Sequence, residues 1–318
     1  MSKVVVSIGT ATQDVYLTGD SFKPFKDGKK SYERFPLGEK ITVKKAIFTT
    51  GGNAGNAAVT FSRQGLNSHF VGAVGNDPAG SAVKKDLAIE EVGLRHFIKS
   101  DEYETSYSVI LLATNGERTI LRSKGNSYKY LEKFDFEKIK ADYAYISSLG
   151  EIETLQRVVS ELHENDVKIA FNPGSRELNH PKDLQKLLPK IHILNLNKDE
   201  AKLLFEKTHI VSIIKEAVEL VDYFVMTDGP NGVIASDGKE VVRAGMYDDV
   251  TVVDRLGAGD AFGSGFTASI IKGKALAEAV TFASANSTSV IQYIGAKEGI
   301  LSNYARIHDM ELEVKDLN

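Results

Sequence analysis

Three small residues, Gly257, Ala258 and Gly259, stand directly before a carboxylate, Asp260, in the stretch VVDRLGAGDAF. Such a run can serve phosphoryl transfer if it opens a helix. The first helical turn carries unpaired backbone N–H groups and the positive end of the helix dipole. Small residues let an anion approach those groups. Asp260 could then take the proton of a hydroxyl attacking phosphorus. A loose transition state asks mainly for alignment and charge neutralisation, so a weak base suffices. A carboxylate at a helix start is also a common cap, and the stretch alone leaves both readings open. The positive helix end should keep Asp260 ionised and only weakly basic.

The elements around this run must present it at a strand-to-helix junction. Residues 250–253 are apolar and β-branched and read as a strand or its end. From Ala261 onward Phe262, Phe266, residues 268–271 and Ala275 recur at helical spacing. Upstream, apolar runs at 3–9, 68–74, 143–147, 167–171, 191–195 and 223–227 read as strands. Helical patterns separate them, among them 53–65 and 78–92, the latter opened by Pro78 and closed by Gly93. This alternation predicts an α/β fold, a mostly parallel sheet covered on both faces. Two insertions, about 15–46 and 106–122, break the rhythm with alternating polar and apolar residues, and the second turns through TNGE as a hairpin. Together they predict a small β-sheet lid, whose strand edges would suit a homodimer. The polar end, MELEVKDLN, reads as a surface stretch.

Composition narrows the chemistry. The 318 residues carry 39 Lys and Arg against 43 Asp and Glu, a formal charge of −4, which argues against nucleic acid and anionic membranes as partners. With no cysteine there is no disulfide, thiolate nucleophile or cysteine–zinc site, which fits a cytoplasmic location. The start, MSKVVVSIGTATQD, is no signal peptide, and no apolar run approaches the roughly 18 residues of a membrane span. The seven histidines show no metal-like spacing. A dinucleotide fingerprint fails because Phe262 stands where its third glycine belongs, and no Gly-Lys pair is followed by Ser or Thr as a P-loop requires. Gly263–Phe266, GSGF, lacks the spacing of a nucleophile elbow.

Five segments in order resemble the ribokinase-like, or PfkB, carbohydrate kinases: GGNAGNAAVTFSRQG from Gly51, GAVGNDPAG from Gly72, NKDE from Asn197, TDGPNG from Thr227 and DRLGAGDAF from Asp254. Together they span nearly the whole chain. The resemblance implies one catalytic domain over residues 1–318, a three-layer α/β/α sandwich with a small lid, and an ATP- and Mg²⁺-dependent kinase acting on a hydroxyl of a small sugar or sugar acid. Ribose, fructose and 2-keto-3-deoxygluconate are the types in view. A nucleoside kinase of the same fold and a catalytically silent sugar-binding relative are the alternatives. It implies Asp260 as base and the amides of Gly257, Ala258 and Gly259 as anion hole. Asp14, Gly51, Gly52 and Asn56 would bind the acceptor. Asn197, Thr227, Gly229, Gly232 and Asn286 would bind nucleotide, and Glu200, with Asn197, would organise Mg²⁺ through water. NKDE alone would read as an ordinary helix start.

The sequence departs from the family pattern in places. Arg255 replaces a Thr, setting a fixed charge beside Asp254, where relatives place a monovalent cation such as K⁺; that charge opposes the cation. FNPGSR, residues 171–176, replaces an Asp-x-Asn pattern with Asn172 and Gly174. The lid insertions are basic, with Lys23, Lys26, Lys29, Lys30, Arg34, Arg118 and Arg122. A solvated surface explains such residues, and so would an anionic acceptor.

Overall fold

The structure, a computed structural model, describes residues 2–28, 30–114 and 117–317. The expected hairpin turn TNGE and Lys29 therefore fall partly or wholly outside the described residues. Among the described residues, sixteen strands form three sheets: β1 (Val4–Ile8), β2 (Thr12–Thr18), β3 (Phe25–Asp27), β4 (Lys30–Tyr32), β5 (Lys45–Gly51), β6 (Asn67–Gly75), β7 (Gly93–Ser100), β8 (Ser106–Leu112), β9 (Arg118–Ser123), β10 (Tyr143–Ile146), β11 (Lys168–Phe171), β12 (Ile193–Asn197), β13 (Tyr223–Thr227), β14 (Val233–Ser236), β15 (Glu240–Ala244) and β16 (Leu312–Asp316).

The main sheet has the order β16-β15-β14-β13-β12-β11-β10-β1-β6-β7. Pairings from β7 through to β13 are parallel, and β13 to β16 pair antiparallel. Its strands are apolar on both sides because helices cover both faces. One face packs Ile8, Ile146, Phe171 and Leu194 against the helix Ile152–Glu164 and its neighbours. The other packs Val5, Tyr145, Ala170 and Ile193 against the helices Ala258–Ile271 and Leu276–Val290. The three-layer arrangement expected from the alternation is thus present. The chain winds one way from β1 through β6 to β7, and the other way from β10 toward β13. The reversal lies between β1 and β10, and open α/β sheets place ligand crevices at the carboxyl ends of the strands at such a point.

Strands β5-β2-β8-β9 form a second, four-stranded sheet. It draws on both expected insertions but exceeds their bounds: β2 begins at Thr12 and β5 runs to Gly51, so Asp14 and Gly51 belong to this sheet. The tip of the first insertion forms the small β3-β4 ribbon.

Two further expectations are corrected. Residues 250–253 form no strand, and the helix begins at Ala258, three residues before Ala261. β-branched residues next to a glycine-rich turn mimic a strand locally, but here Val253 and Asp254 donate their N–H groups to Ile291 O, not to a sheet. The polar terminus lies on the surface as expected, where Leu312–Asp316 pairs with β15 as an edge strand. Its exposed charges are typical of an edge that resists further pairing.

Candidate active site

The helix Ala258–Ile271 is capped by Gly257, which has φ +81°. A Cβ there would lie 2.4 Å from Ala296 Cβ and 2.7 Å from Ala296 Cα, so both the backbone angle and the space demand glycine. Gly259 meets nothing within 4 Å of an added Cβ, and its surface is open. Asp260 lies in the first turn of this helix. The run Gly257–Gly259 therefore offers amide groups at the helix start, one turn earlier than the periodicity suggested.

Asp260 is partly covered, and its carboxylate accepts a hydrogen bond of 2.8 Å from Asn56 Nδ2. Burial pushes its pKa up to about 6, and the Asn56 bond pulls the other way. Desolvation outweighs the low, weakly basic value expected from the helix end. Asn56 comes from the helix Asn53–Arg63, is 3% exposed, and leaves its Oδ1 buried without a partner. That oxygen is a buried acceptor whose hydrogen-bonding capacity is unused within the chain.

Asp14 sits in β2, 5% exposed, and takes a bond from Thr12 Oγ1. Its pKa is raised by burial, against the Ser108 and Thr12 hydroxyls and the positive fields of Lys297 and Arg122. Gly51 approaches it closely: a Cβ there would be 2.3 Å from Asp14 Oδ2. Gly52, with φ +89°, turns the chain from β5 into the helix bearing Asn56. One continuous segment thus joins Asp14's neighbourhood to Asp260.

Two cavities meet at the glycine run, and a third adjoins them. One of about 250 Å³ is lined by Thr227, Gly229, Gly232, Arg255, Ala258 and Gly259. One of about 120 Å³ brings Asp260 and Gly259 together with Asn172, Asn197, Glu200 and Thr227. A third, of about 350 Å³, opens past Asn197, Glu200, Thr227 and Gly229 to the surface. Arg255, placed by its residue type beside a cation site, instead faces the first of these cavities.

Asn197 and Glu200 form a reciprocal cap: Asn197 Oδ1 accepts from the N–H groups of Asp199 and Glu200, and Glu200 Oε2 accepts from Asn197 N at 2.8 Å. The ordinary helix-start reading of NKDE is therefore part of what they do. Burial raises the Glu200 pKa, as does the Asp199 charge, while the Asn197 N–H lowers it. Asn195, 4% exposed, lines the small cavity with both amide atoms unpartnered. Two carboxylates, Glu200 and Asp260, unpartnered amide atoms and room for a few waters fit a hydrated Mg²⁺, which binds through few carboxylates and keeps its waters. Among the described residues, no cluster of three or more His, Asp or Glu gives a direct, all-protein metal cage.

Two expected residues do not join this group. Asn286 is fully buried; its Nδ2 donates to Ala261 O and its Oδ1 accepts from Leu301 N, both at 2.8 Å. It staples two helices and lies outside the cavities; Ser284, Ser287 and Thr288 of the same helix line the larger one. Asp254, 3% exposed, accepts from Tyr16 OH at 2.6 Å, Leu256 N at 3.0 Å and Gly295 N at 3.3 Å, and lies 3.9 Å from Arg118. The carboxylate anchors the loop before Gly257 to the small sheet. With these donors around it, a protein guanidinium already supplies the positive charge at that place.

Sequence patterning missed Asn195 and Tyr145. The Tyr145 hydroxyl is buried without a partner, 2.9 Å from where a Gly263 Cβ would be, and its pKa is raised by burial and by the Asp260 charge. The only signal was a polar residue near the carboxyl end of an otherwise apolar strand, in YAYIS and IHILN.

A family model for pfkB family carbohydrate kinases matches residues 3–303. The chain is 26% identical over 259 residues to an ATP-dependent 6-phosphofructokinase of Thermoanaerobacterium thermosaccharolyticum, covering 77% of this chain and 80% of that one. It is 27% identical over 306 residues to a ribokinase of Bacillus subtilis, covering 92% and 94%. Among solved structures, a Burkholderia thailandensis nucleoside kinase in complex with inosine superposes with a TM-score of 0.77 at 18% identity, covering 94% of this chain and 95% of that one. The fold is therefore ribokinase-like, and the chain belongs to the pfkB family of carbohydrate kinases, phosphotransferases with an alcohol group as acceptor.

Proposed function

We propose that the protein transfers the γ-phosphoryl group of ATP to a hydroxyl of a small polyhydroxylated acceptor, with Asp260 as general base. The observation that carries this reading is the desolvated Asp260 carboxylate, its pKa about 6, beside the open amides of a helix start where two cavities meet. A base poised near neutrality is suited to proton transfer. The names of the relatives cover a phosphorylated sugar, a sugar and a nucleoside, and all of them contain a hydroxyl for such a base.

In this mechanism the nucleotide lies along the cavity of Thr227, Gly229 and Gly232, with its terminal phosphate at the amides of Gly257, Ala258 and Gly259. Arg255 faces the same cavity and adds charge neutralisation. Asp14 and Asn56 orient acceptor hydroxyls, with Gly51 and Gly52 giving room. The acceptor oxygen forms its bond to the γ-phosphorus as the bond to the ADP oxygen breaks, and the hydroxyl proton passes to Asp260. Mg²⁺, when bound with the nucleotide, neutralises phosphate charge, and Asn197 and Glu200 would hold its waters. The four-stranded sheet serves as a lid on a single catalytic domain. Its outer face carries the exposed Phe48 and Leu121 and forms a homodimer surface.

The test is ADP release from ATP and Mg²⁺ with pentoses, hexoses, their phosphates and acids, and nucleosides. Acceptor-dependent release is expected for at least one class. Release that never depends on an acceptor would overturn the reading.

A further inference from the structure

We propose that the acceptor carries an anionic group, a phosphate ester or a carboxylate, and that Arg122 binds it. The proposal rests on the reading that Asp14 holds acceptor hydroxyls.

Strand register places the two residues on one face of the small sheet. Asp14 pairs with Ser108, and Ser108 with Arg122, so Thr49, Asp14, Ser108 and Arg122 form one rung. Residues in register across a sheet point to the same side. Asp14 and Arg122 stand two strands apart, about 10 Å between backbones. Arg122 is exposed, and its positive field reaches Asp14. Yet no ion pair within 4 Å joins the two, and among the described residues no hydrogen bond holds the Arg122 guanidinium. A cation and a carboxylate thus face each other across a gap on the acceptor side of the small sheet.

Two other cations near Asp14 and Arg122 are already engaged. Lys297, the other cation whose field reaches Asp14, is buried and bonded to Asp86 and Thr50. Arg118, at the far end of the same strand and on the same face, lies beside Asp254. The next rung is largely apolar, with Ile47, Ile110 and Ile120 flanking Tyr16. A neutral sugar or nucleoside has no use for an unpaired guanidinium at this place. A sugar with one terminal anion matches both ends: hydroxyls toward Asp14, anion toward Arg122, whose planar fork suits either a phosphate or a carboxylate.

The test uses the full chain with ATP and Mg²⁺, and fructose 6-phosphate, 2-keto-3-deoxygluconate, fructose and inosine as acceptors. It compares wild type with Arg122→Gln and Arg122→Lys by ADP release, and by calorimetric binding of each acceptor. One anionic acceptor is expected to exceed both neutral ones in kcat/KM, and the arm that does so separates phosphate ester from carboxylate. Arg122→Gln is expected to raise its KM and weaken its binding by about 10- to 100-fold, the worth of one charge-assisted contact. The KM for ATP should not move, and Arg122→Lys should recover part of the loss. Preference for fructose or inosine, or equal effects of Arg122→Gln on neutral and anionic acceptors, would overturn the proposal while leaving a kinase. Absence of acceptor-dependent ADP release in all four arms, with no acceptor bound, would overturn this proposal and the kinase reading together.

Discussion

Asp260 is where burial and hydrogen bonding compete most directly. Burial raises its pKa, and Asn56 stabilises the charged form. If Asp260 acts as a base, kcat/KM should fall as pH drops through about 6. Asn56→Ala removes the stabilising bond, so that acid limb should move to higher pH; a limb that stays in place would separate Asp260 from the profile. The same shift has a thermodynamic consequence. A carboxyl group whose folded pKa is raised favours the fold while protonated, and this stability is lost as pH rises through the folded value. Asp260→Asn should therefore be more stable than wild type near pH 8, by up to about 3 kcal/mol, with the gain vanishing near pH 4. Denaturant midpoints at the two pH values measure this, and equal differences at both would contradict it. Glu200→Gln should raise the Mg²⁺ concentration required for half-maximal rate, because the cavity then lacks its second carboxylate beside Asp260; an unchanged Mg²⁺ titration would remove Glu200 from that role. Asp260, Asn197 and Glu200, which the sequence singles out, line one small cavity together. Asn286 lies apart from it; a buried side chain with two backbone partners has the same letter as one lining a pocket.

At the scale of elements, the start of the helix Ala258–Ile271 sets two glycines against each other. Gly257→Ala forces a methyl into Ala296 and a side chain onto a positive φ, so it should cost at least about 1–3 kcal/mol. Gly259→Ala meets open space in a helix, so stability should hold or rise by about 0.5–1 kcal/mol. Its methyl would nonetheless crowd an arriving phosphate, and kcat should fall. Thermal unfolding and turnover of the two variants, measured together, separate the roles; a marked loss of stability in Gly259→Ala would show that its surroundings are closed. This helix was recognisable by its apolar spacing, but its first turn was not. Gly257 and Ala258 carry no periodic signal, and the apolar residues 250–253 looked like a strand because nothing local reveals their bonding to Ile291.

Across the whole molecule, the parallel order around β1 brings the carboxyl ends of β10 to β13 to one edge, where the cavities open. The small sheet is tied to that edge through Tyr16 and Asp254, a hydrogen bond spanning 238 positions of sequence. Such a tie cannot be read from spacing, whereas the layered architecture could be, since each strand and helix declares its own period. The outer rung of the small sheet aligns the exposed Phe48 with Val15, Val109 and the exposed Leu121. An apolar row of this kind invites pairing. Sedimentation should give a dimer that Leu121→Asp disperses; a wild-type monomer at micromolar concentration would refute that surface.

The central claim is that Asp260 collects the acceptor proton during transfer. Its most direct measurement is single-turnover phosphoryl transfer by Asp260→Asn, with acceptor binding followed in parallel. The rate is expected to fall by about 10²- to 10⁴-fold while acceptor affinity stays within a few-fold of wild type. Transfer at a near-normal rate with bound acceptor would contradict it.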